Sequence, residues 1–150
     1  MVVRKMQMQD KQTFLEMCRL FYGSGATSRG FDETIANKTF DYLMSNHENL
    51  WGYILEDIDD LAPVGYALIT SYWCNEDGGN VIILDELYIS SNKRHKGYGK
   101  MFMEWLENEF RGKAVAISLE VITTNIIAKQ LYNNSGYKED GFSMMTKYLK

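Results

Sequence analysis

The chain has few of the residues that build covalently or metal-stapled folds. Its 150 residues include two cysteines, Cys18 and Cys74, and two histidines, His47 and His95. The cysteines lie far apart, with no CxxC pair and no histidine at ligand spacing. That argues against a structural zinc or other metal site, and free thiols buried as small hydrophobes are expected. No apolar run approaches the roughly 20 residues that cross a bilayer, so no membrane partner is expected. The N-terminal stretch MVVRKMQMQDK lacks the long apolar segment of a signal peptide, and cytoplasmic residence is the expectation. Linkers, repeats and low-complexity blocks are missing too, which predicts one domain over residues 1–150. Positive charge is not in excess either. The net charge of −4 disfavours nucleic acid as a partner.

Enough is present to build a core. Hydrophobic residues make up 45% and charged residues 24%, the balance of a globular chain. The charge is unevenly placed. Residues 1–80 carry 6 Lys and Arg against 12 Asp and Glu, a balance of −6, while residues 81–150 carry 10 against 8, a balance of +2. A basic second half suits an anionic ligand, and an acidic first half would welcome a cation.

Periodicity predicts the element order βααβββαβαβ(β). A strand over Val2–Met6 precedes a helix capped by Asp10 and running to about Tyr22, with Phe14, Cys18 and Phe21 on one stripe. Gly23-Ser24-Gly25 ends it. A second helix spans Asp32–Ser45 with Ile35, Thr39, Tyr42 and Leu43 inward. Strands follow at Leu50–Leu55, Val64–Trp73 and Val81–Ile89, with acidic turns between them. A helix after Gly97 carries Tyr98, Met101, Phe102, Trp105 and Leu106 at core spacing. Ala114–Val121 reads as a strand, Asn125 as the cap of a helix to Asn133, and Gly136 as its C′ residue. One or two strands are expected over Tyr137–Leu149. The pattern is that of a mixed α/β domain around one sheet.

Residues 81–100, VIILDELYISSNKRHKGYGK, carry the most chemistry. An apolar strand is interrupted by adjacent carboxylates, Asp85 and Glu86. It feeds a basic, glycine-spaced segment that opens into a helix. Arg94, Lys96 and Lys100, beside Lys93, bring positive charge to a helix N-terminus that already offers unpaired N–H groups. Gly97 and Gly99 let the backbone approach a ligand closely. Such an arrangement suits pyrophosphate.

Two familiar phosphate loops do not fit. A dinucleotide-binding GxGxxG needs a third glycine where Phe102 stands, close against its strand. Glu120 lies near the place of a ribose-binding acid, yet the remaining chain is too short for a doubly wound sheet. A Walker loop needs Ser or Thr after Gly99-Lys100, and Met101 is there.

Arg94-x-x-Gly97-x-Gly99 beyond an apolar strand resembles the acetyl-CoA pyrophosphate motif of the GNAT superfamily of N-acetyltransferases. Downstream, Leu119-Glu120-Val121, Asn125, Ala128, Leu131-Tyr132 and Gly136-Tyr137 are similar to the family's second motif. The likeness covers residues 81–137. It implies a GNAT-like α/β fold, a mixed central sheet of about six to seven strands with about four helices. It also implies acetyl-CoA as the acetyl-donor cosubstrate. The backbone of Leu87, Tyr88 and Ile89 would hold the pantetheine arm in the manner of an added strand. Arg94, His95, Lys96, Gly97, Tyr98, Gly99 and Lys100 would wrap the pyrophosphate. Asn125, with Ala128, would hydrogen-bond the cofactor, and Tyr132 would sit near its sulfur.

The implied reaction is direct attack of a primary amine on the thioester, in a ternary complex. Tyr132 matches the general-acid position. The base is open among Glu86, Asp85 and Glu120, in that order. Burying an unpaired carboxylate is costly, so at least one of the strand pair should face a wet cleft or a partner. Neighbours on a regular strand point to opposite faces, and a bulge could bring both near a substrate. Glu120 matches the position used in ribosomal-protein acetyltransferases.

The aromatic residues of the first half, Tyr22, Phe31, Trp51, Tyr53, Tyr66, Tyr72 and Trp73, read as core. Tyr22, beside Gly23-Ser24-Gly25, is the exception most apt to border an acceptor. The expected acceptor is the amine of a small molecule or peptide. The acidic half tilts it toward a cation such as a polyamine, an aminoglycoside, a lysine or an N-terminal amine. The resemblance also allows a homodimer. The competing readings are a non-catalytic acetyl-CoA sensor of the same fold and a nucleotide-binding protein of another fold.

Overall fold

The computed structural model describes residues 1–45 and 47–149. Five strands form one mixed sheet in the order β1 (Val2–Lys5), β2 (Leu50–Glu56), β3 (Pro63–Cys74), β4 (Gly79–Ile89) and β5 (Ala116–Leu119). The first three junctions are antiparallel; short turns join β2 to β3 and β3 to β4, while residues 6–49 carry the chain from β1 to β2. The β4–β5 junction is parallel because the helix α3 (Tyr98–Phe110) carries the chain back between them.

Each face of the sheet packs on its own helices. The helix α1 (Lys11–Tyr22) buries Phe14, Met17, Cys18 and Phe21 on Ile54, Tyr66, Leu68 and Tyr88. The helix α2 (Glu33–Met44) closes the same layer with Phe40. On the opposite face, Phe102, Met103 and Leu106 of α3 cover Leu55, Ala67, Ile69, Ile82 and Leu84. Leu131 and Tyr132 of the helix α4 (Ile126–Asn134) join that second layer.

Most expected elements are present, and several differ in instructive ways. The buried residues of α2 are Ala36 and Phe40, whereas the expected inner stripe is Ile35, Thr39, Tyr42 and Leu43, of which Leu43 packs against the core. Ile35 is 59% exposed, because the helix is rotated to turn it and Thr39 toward a cleft beside α1. Asp10 stands at the N-cap position of α1, but its carboxylate makes no cap bond there. It accepts instead from Arg4 and from the Gln7 N–H. Tyr72 and Trp73 are exposed at the far end of β3, outside both core layers.

Nor does the strand pair expected over Tyr137–Leu149 form, so the sheet has five strands where about six to seven were expected. Tyr137 is drawn into the α3 layer beside Tyr132. Beyond it, Phe142, Met144, Met145 and Leu149 are exposed, so no apolar burial drives pairing onto the short β5. Among the described residues, no helix is long and apolar enough to cross a membrane.

Candidate active site

The central irregularity of the sheet lies at the two adjacent carboxylates. Leu68 pairs with Glu86 and Ile69 with Leu84, which leaves Asp85 as an extra residue in β4. On a regular strand Glu86 would share a face with Leu84, as the sequence suggests. The bulge breaks that alternation. Leu84 packs with Leu87 and Ile89 toward α3, while Glu86 turns with Tyr88 toward α1.

Glu86 is held by two tyrosines from different elements. The Tyr22 hydroxyl at the end of α1 donates to Oε1 at 2.6 Å. The Tyr66 hydroxyl of β3 donates to Oε2, also at 2.6 Å. Burial raises the Glu86 carboxyl above its ordinary value, the two hydroxyls oppose that rise, and the charge of Asp85 adds to it. Burial also lifts both phenols well above the usual tyrosine range, with Glu86 reinforcing the rise, so they remain donors. Asp85 is exposed by comparison, though the surrounding protein raises its carboxyl as well. Burial pushes the Cys18 thiol, next to Tyr66, up to about 12, which makes it a packing group and a poor nucleophile.

Glu86 lines a cleft of about 80 Å³ together with Tyr22. Phe14, Phe31, Ile35, Ala36 and Leu68 give it apolar walls, and Arg29 and Asp32 stand at its edge. Asp32 is committed to the N-terminus of α2, where it accepts from the N–H groups of Thr34 and Ile35.

On the other flank, β4 and β5 part. Their ladder runs from Val81–Ala116 to Leu84–Leu119 and then stops, although β4 continues to Ile89. Leu87, Tyr88 and Ile89 therefore have no β5 partner, and an extended ligand can lie along that edge. Glu120 is exposed just past the end of β5, at the same fork.

The basic loop follows. His95 and Gly97 both have left-handed backbones, with φ of 60° and 84°. Gly97 is the N-cap of α3, so unpaired N–H groups of its first turn face outward. Arg94, His95, Lys96 and Lys100 are exposed around it. Arg94 donates from Nε to the Ile89 carbonyl at 3.0 Å, which lays the guanidinium back against the strand end. Gly99 also lies against α4. A Cβ there would stand 3.0 Å from Leu131, so the missing side chain lets α3 and α4 pack.

Tyr98 and Lys93 are also engaged within the protein. Both donate to Asp57 in the β2–β3 turn. Asn125 caps α4 through Oδ1, which accepts from the Ala128 N–H at 3.2 Å, and its side-chain amide N–H groups remain available. Tyr132 packs in the α3 layer with its ring 6.2 Å from that of Tyr137, and burial raises its hydroxyl.

The sequence singles out Asp85, Glu86 and Tyr22 and allows a bulge at the carboxylates; it reads Tyr66 as core, where it is buried, but does not foresee its bond to Glu86 or the contacts of Asp57. Tyr66 lies two residues before Leu68, the cross-strand neighbour of Glu86, so a known register would have placed it on the same face. Nothing local distinguished Asp57 from the other acids of its turn.

Comparison with known proteins agrees with this geometry. The model of the acetyltransferase (GNAT) family matches residues 12–137. A possible acetyltransferase from Clostridium difficile 630 is 18% identical with a TM-score of 0.85, covering 99% of this chain and 97% of its own. AAC(6')-Iy, in complex with the bisubstrate analogue CoA-S-monomethyl-acetylneamine, is 12% identical with a TM-score of 0.78, at 99% and 98% coverage. Ribosomal-protein-alanine N-acetyltransferase from Brucella melitensis biovar Abortus 2308 is 16% identical with a TM-score of 0.77, at 98% coverage of both chains. At such identities the structural likeness concerns the fold. No curated protein matches the sequence.

Proposed function

Since this chain belongs to the GNAT acetyltransferase family, we propose that it is an N-acetyltransferase that passes the acetyl group of acetyl-CoA directly to a primary amine in a ternary complex. The observation that carries the proposal is the position of Glu86. It lines a cleft on one side of the sheet at the bulge where β4 begins to part from β5. An amine in the cleft and a thioester in the fork would meet there.

Acetyl-CoA supplies the activated acetyl group as a thioester. The backbone of Leu87–Ile89 would align its pantetheine arm. The N–H groups at Gly97, with Arg94, Lys96 and Lys100, would hold its phosphates. Asn125 would donate its free amide N–H to the same ligand. The amine nitrogen forms the new N–C bond as the C–S bond breaks. Glu86 takes the amine's surplus proton through one water, and Tyr132 gives a proton to the departing thiolate. The Tyr132 phenol is protonated at neutral pH and so has a proton to give. Asp85 and Glu120, exposed at the same fork, are the alternative places for the base.

The cleft also narrows the acceptor. Its volume of about 80 Å³ suits a small acceptor end. Apolar walls leading to one carboxylate suit a slender alkylamine end, as on a small monoamine or a lysine side chain. Arg29 at the edge argues against a polycation, and Asp32 beside it is already committed to α2.

The test is release of free CoA thiol from acetyl-CoA across a panel of amines. Turnover with alkylamines or a lysine peptide is expected. Tight acetyl-CoA binding without turnover on any amine would contradict the enzyme reading. Thermal protection by ATP or NAD in preference to CoA would contradict the donor site.

A further inference from the structure

The basic loop is gripped at both ends by one carboxylate. Asp57 Oδ2 accepts from Lys93 Nζ at 2.8 Å and from the Tyr98 hydroxyl at 2.7 Å. Lys93 immediately precedes residues 94–97, and Tyr98 immediately follows them. Asp57 is itself fixed in the β2–β3 turn. Its N–H donates to the Ala62 carbonyl, its carbonyl accepts from the Leu61 N–H, and its Oδ1 accepts from the Asp59 N–H. The side chains of Asp57 and Lys93 are 15% and 24% exposed, so the grip lies partly under the surface.

The segment between the two anchors has reason to need holding. His95, a residue with a Cβ, sits at φ 60°, and Gly97 sits at φ 84°. A left-handed non-glycine residue is uncommon and persists where its surroundings hold it. Freed from Asp57, the loop would relax among other conformations, and binding would first have to order it again.

We propose that Asp57 is a positioning residue for the acetyl-CoA phosphate cradle: it clamps Lys93 and Tyr98 and so presets the 94–97 backbone for the ligand. The proposal rests on the donor site described under Proposed function. It assigns Lys93 and Tyr98 to the clamp, where the resemblance implies direct pyrophosphate contact for Tyr98 and the sequence offers Lys93 as nearby positive charge.

The clamp makes a prediction opposite in sign to simple electrostatics. Deleting a carboxylate beside an anion-binding loop removes repulsion and frees a lysine, which should tighten the binding of a phosphate ligand. Loss of positioning should weaken it. The experiment is calorimetric titration of acetyl-CoA into wild type, Asp57→Ala, Asp57→Asn, Lys93→Met and the Asp57→Ala/Lys93→Met pair, with melting temperature measured for each. The expected result is roughly tenfold weaker binding for Asp57→Ala, partial rescue in Asp57→Asn, and little further loss in the pair. In turnover the change should appear in KM for acetyl-CoA with kcat preserved.

Unchanged or tighter binding in folded Asp57→Ala overturns the clamp, as does additive loss in the pair, which would make Lys93 a direct phosphate ligand. If Asp57→Ala fails to fold, Asp57→Asn and Tyr98→Phe carry the same test: weaker binding supports the clamp and wild-type affinity refutes it. Wild-type protein that does not bind acetyl-CoA contradicts the donor-site reading itself, an outcome distinct from all of these.

Discussion

Two places in the sheet bury carboxylates, and they are treated in opposite ways. At the β1 edge, Arg4 donates twice to Asp10, at 2.8 Å and 2.8 Å, and once to Glu56 at 2.7 Å. Its hydrogen bonds hold the Asp10 carboxyl below the ordinary aspartate value, against the opposing push of burial. In the middle of the sheet, Glu86 receives only the neutral hydroxyls of Tyr22 and Tyr66, and burial raises it. A guanidinium fixes a carboxylate in its charged form and makes it a structural part. Two phenols orient a carboxylate and leave its proton exchangeable nearer neutral pH. The difference is consistent with the base role proposed for Glu86.

The largest expected effect is at the structural site. Arg4→Met leaves Asp10 and Glu56 buried without a cation and should cost about 3–5 kcal/mol in urea unfolding at neutral pH. The sign with pH follows from the lowered Asp10 carboxyl. Its contribution is complete above the ordinary aspartate pKa and is lost as pH falls through the lowered native value. The gap between wild type and variant should therefore shrink on acidification. A gap independent of pH would mean that the triad acts by packing alone.

A second arginine sharpens the contrast. Arg94 is exposed, donates to the Ile89 carbonyl and lies over the Tyr88 ring. Arg94→Ala should leave unfolding unchanged but weaken acetyl-CoA binding by about 1.5–3 kcal/mol, the worth of a charge-assisted phosphate contact. Wild-type affinity in calorimetry would remove Arg94 from the cradle.

The smallest effect is at the tyrosines. Tyr22→Phe or Tyr66→Phe removes one donor that favours the charged form of Glu86. The acidic limb of the rate profile should then move to higher pH. A limb that stays in place would show that neither hydroxyl tunes the titrating group.

The same contrast explains what the sequence could reveal. The proposed donor side is built from consecutive residues, so Arg94 to Lys100 and Asn125 to Gly136 are legible as local patterns of charge, glycine and helix capping. The proposed acceptor side is assembled across the sheet. Tyr22 and Glu86 are 64 residues apart, and Tyr66 and Glu86 are 20 apart. Only the register of β3 on β4, with its extra residue at Asp85, brings the three together. The Arg4 triad and the Asp57 clamp escaped notice for the same reason, since each joins residues far apart in the chain. The missing strands after Tyr137 show the converse. A run rich in β-formers there had neither a paired neighbour nor a face to bury.

The most direct test of Glu86 as the base is the pH dependence of acetyl transfer for wild type and Glu86→Gln, measured with one alkylamine at saturating acetyl-CoA. In wild type, activity should fall on the acidic side with a midpoint above the ordinary glutamate value, because burial raises this carboxyl. Glu86→Gln should be slower by about 10²–10⁴-fold and should lose that limb. A Glu86→Gln variant that keeps the wild-type rate, or the same acidic limb, would contradict the account and move the base to Asp85 or Glu120.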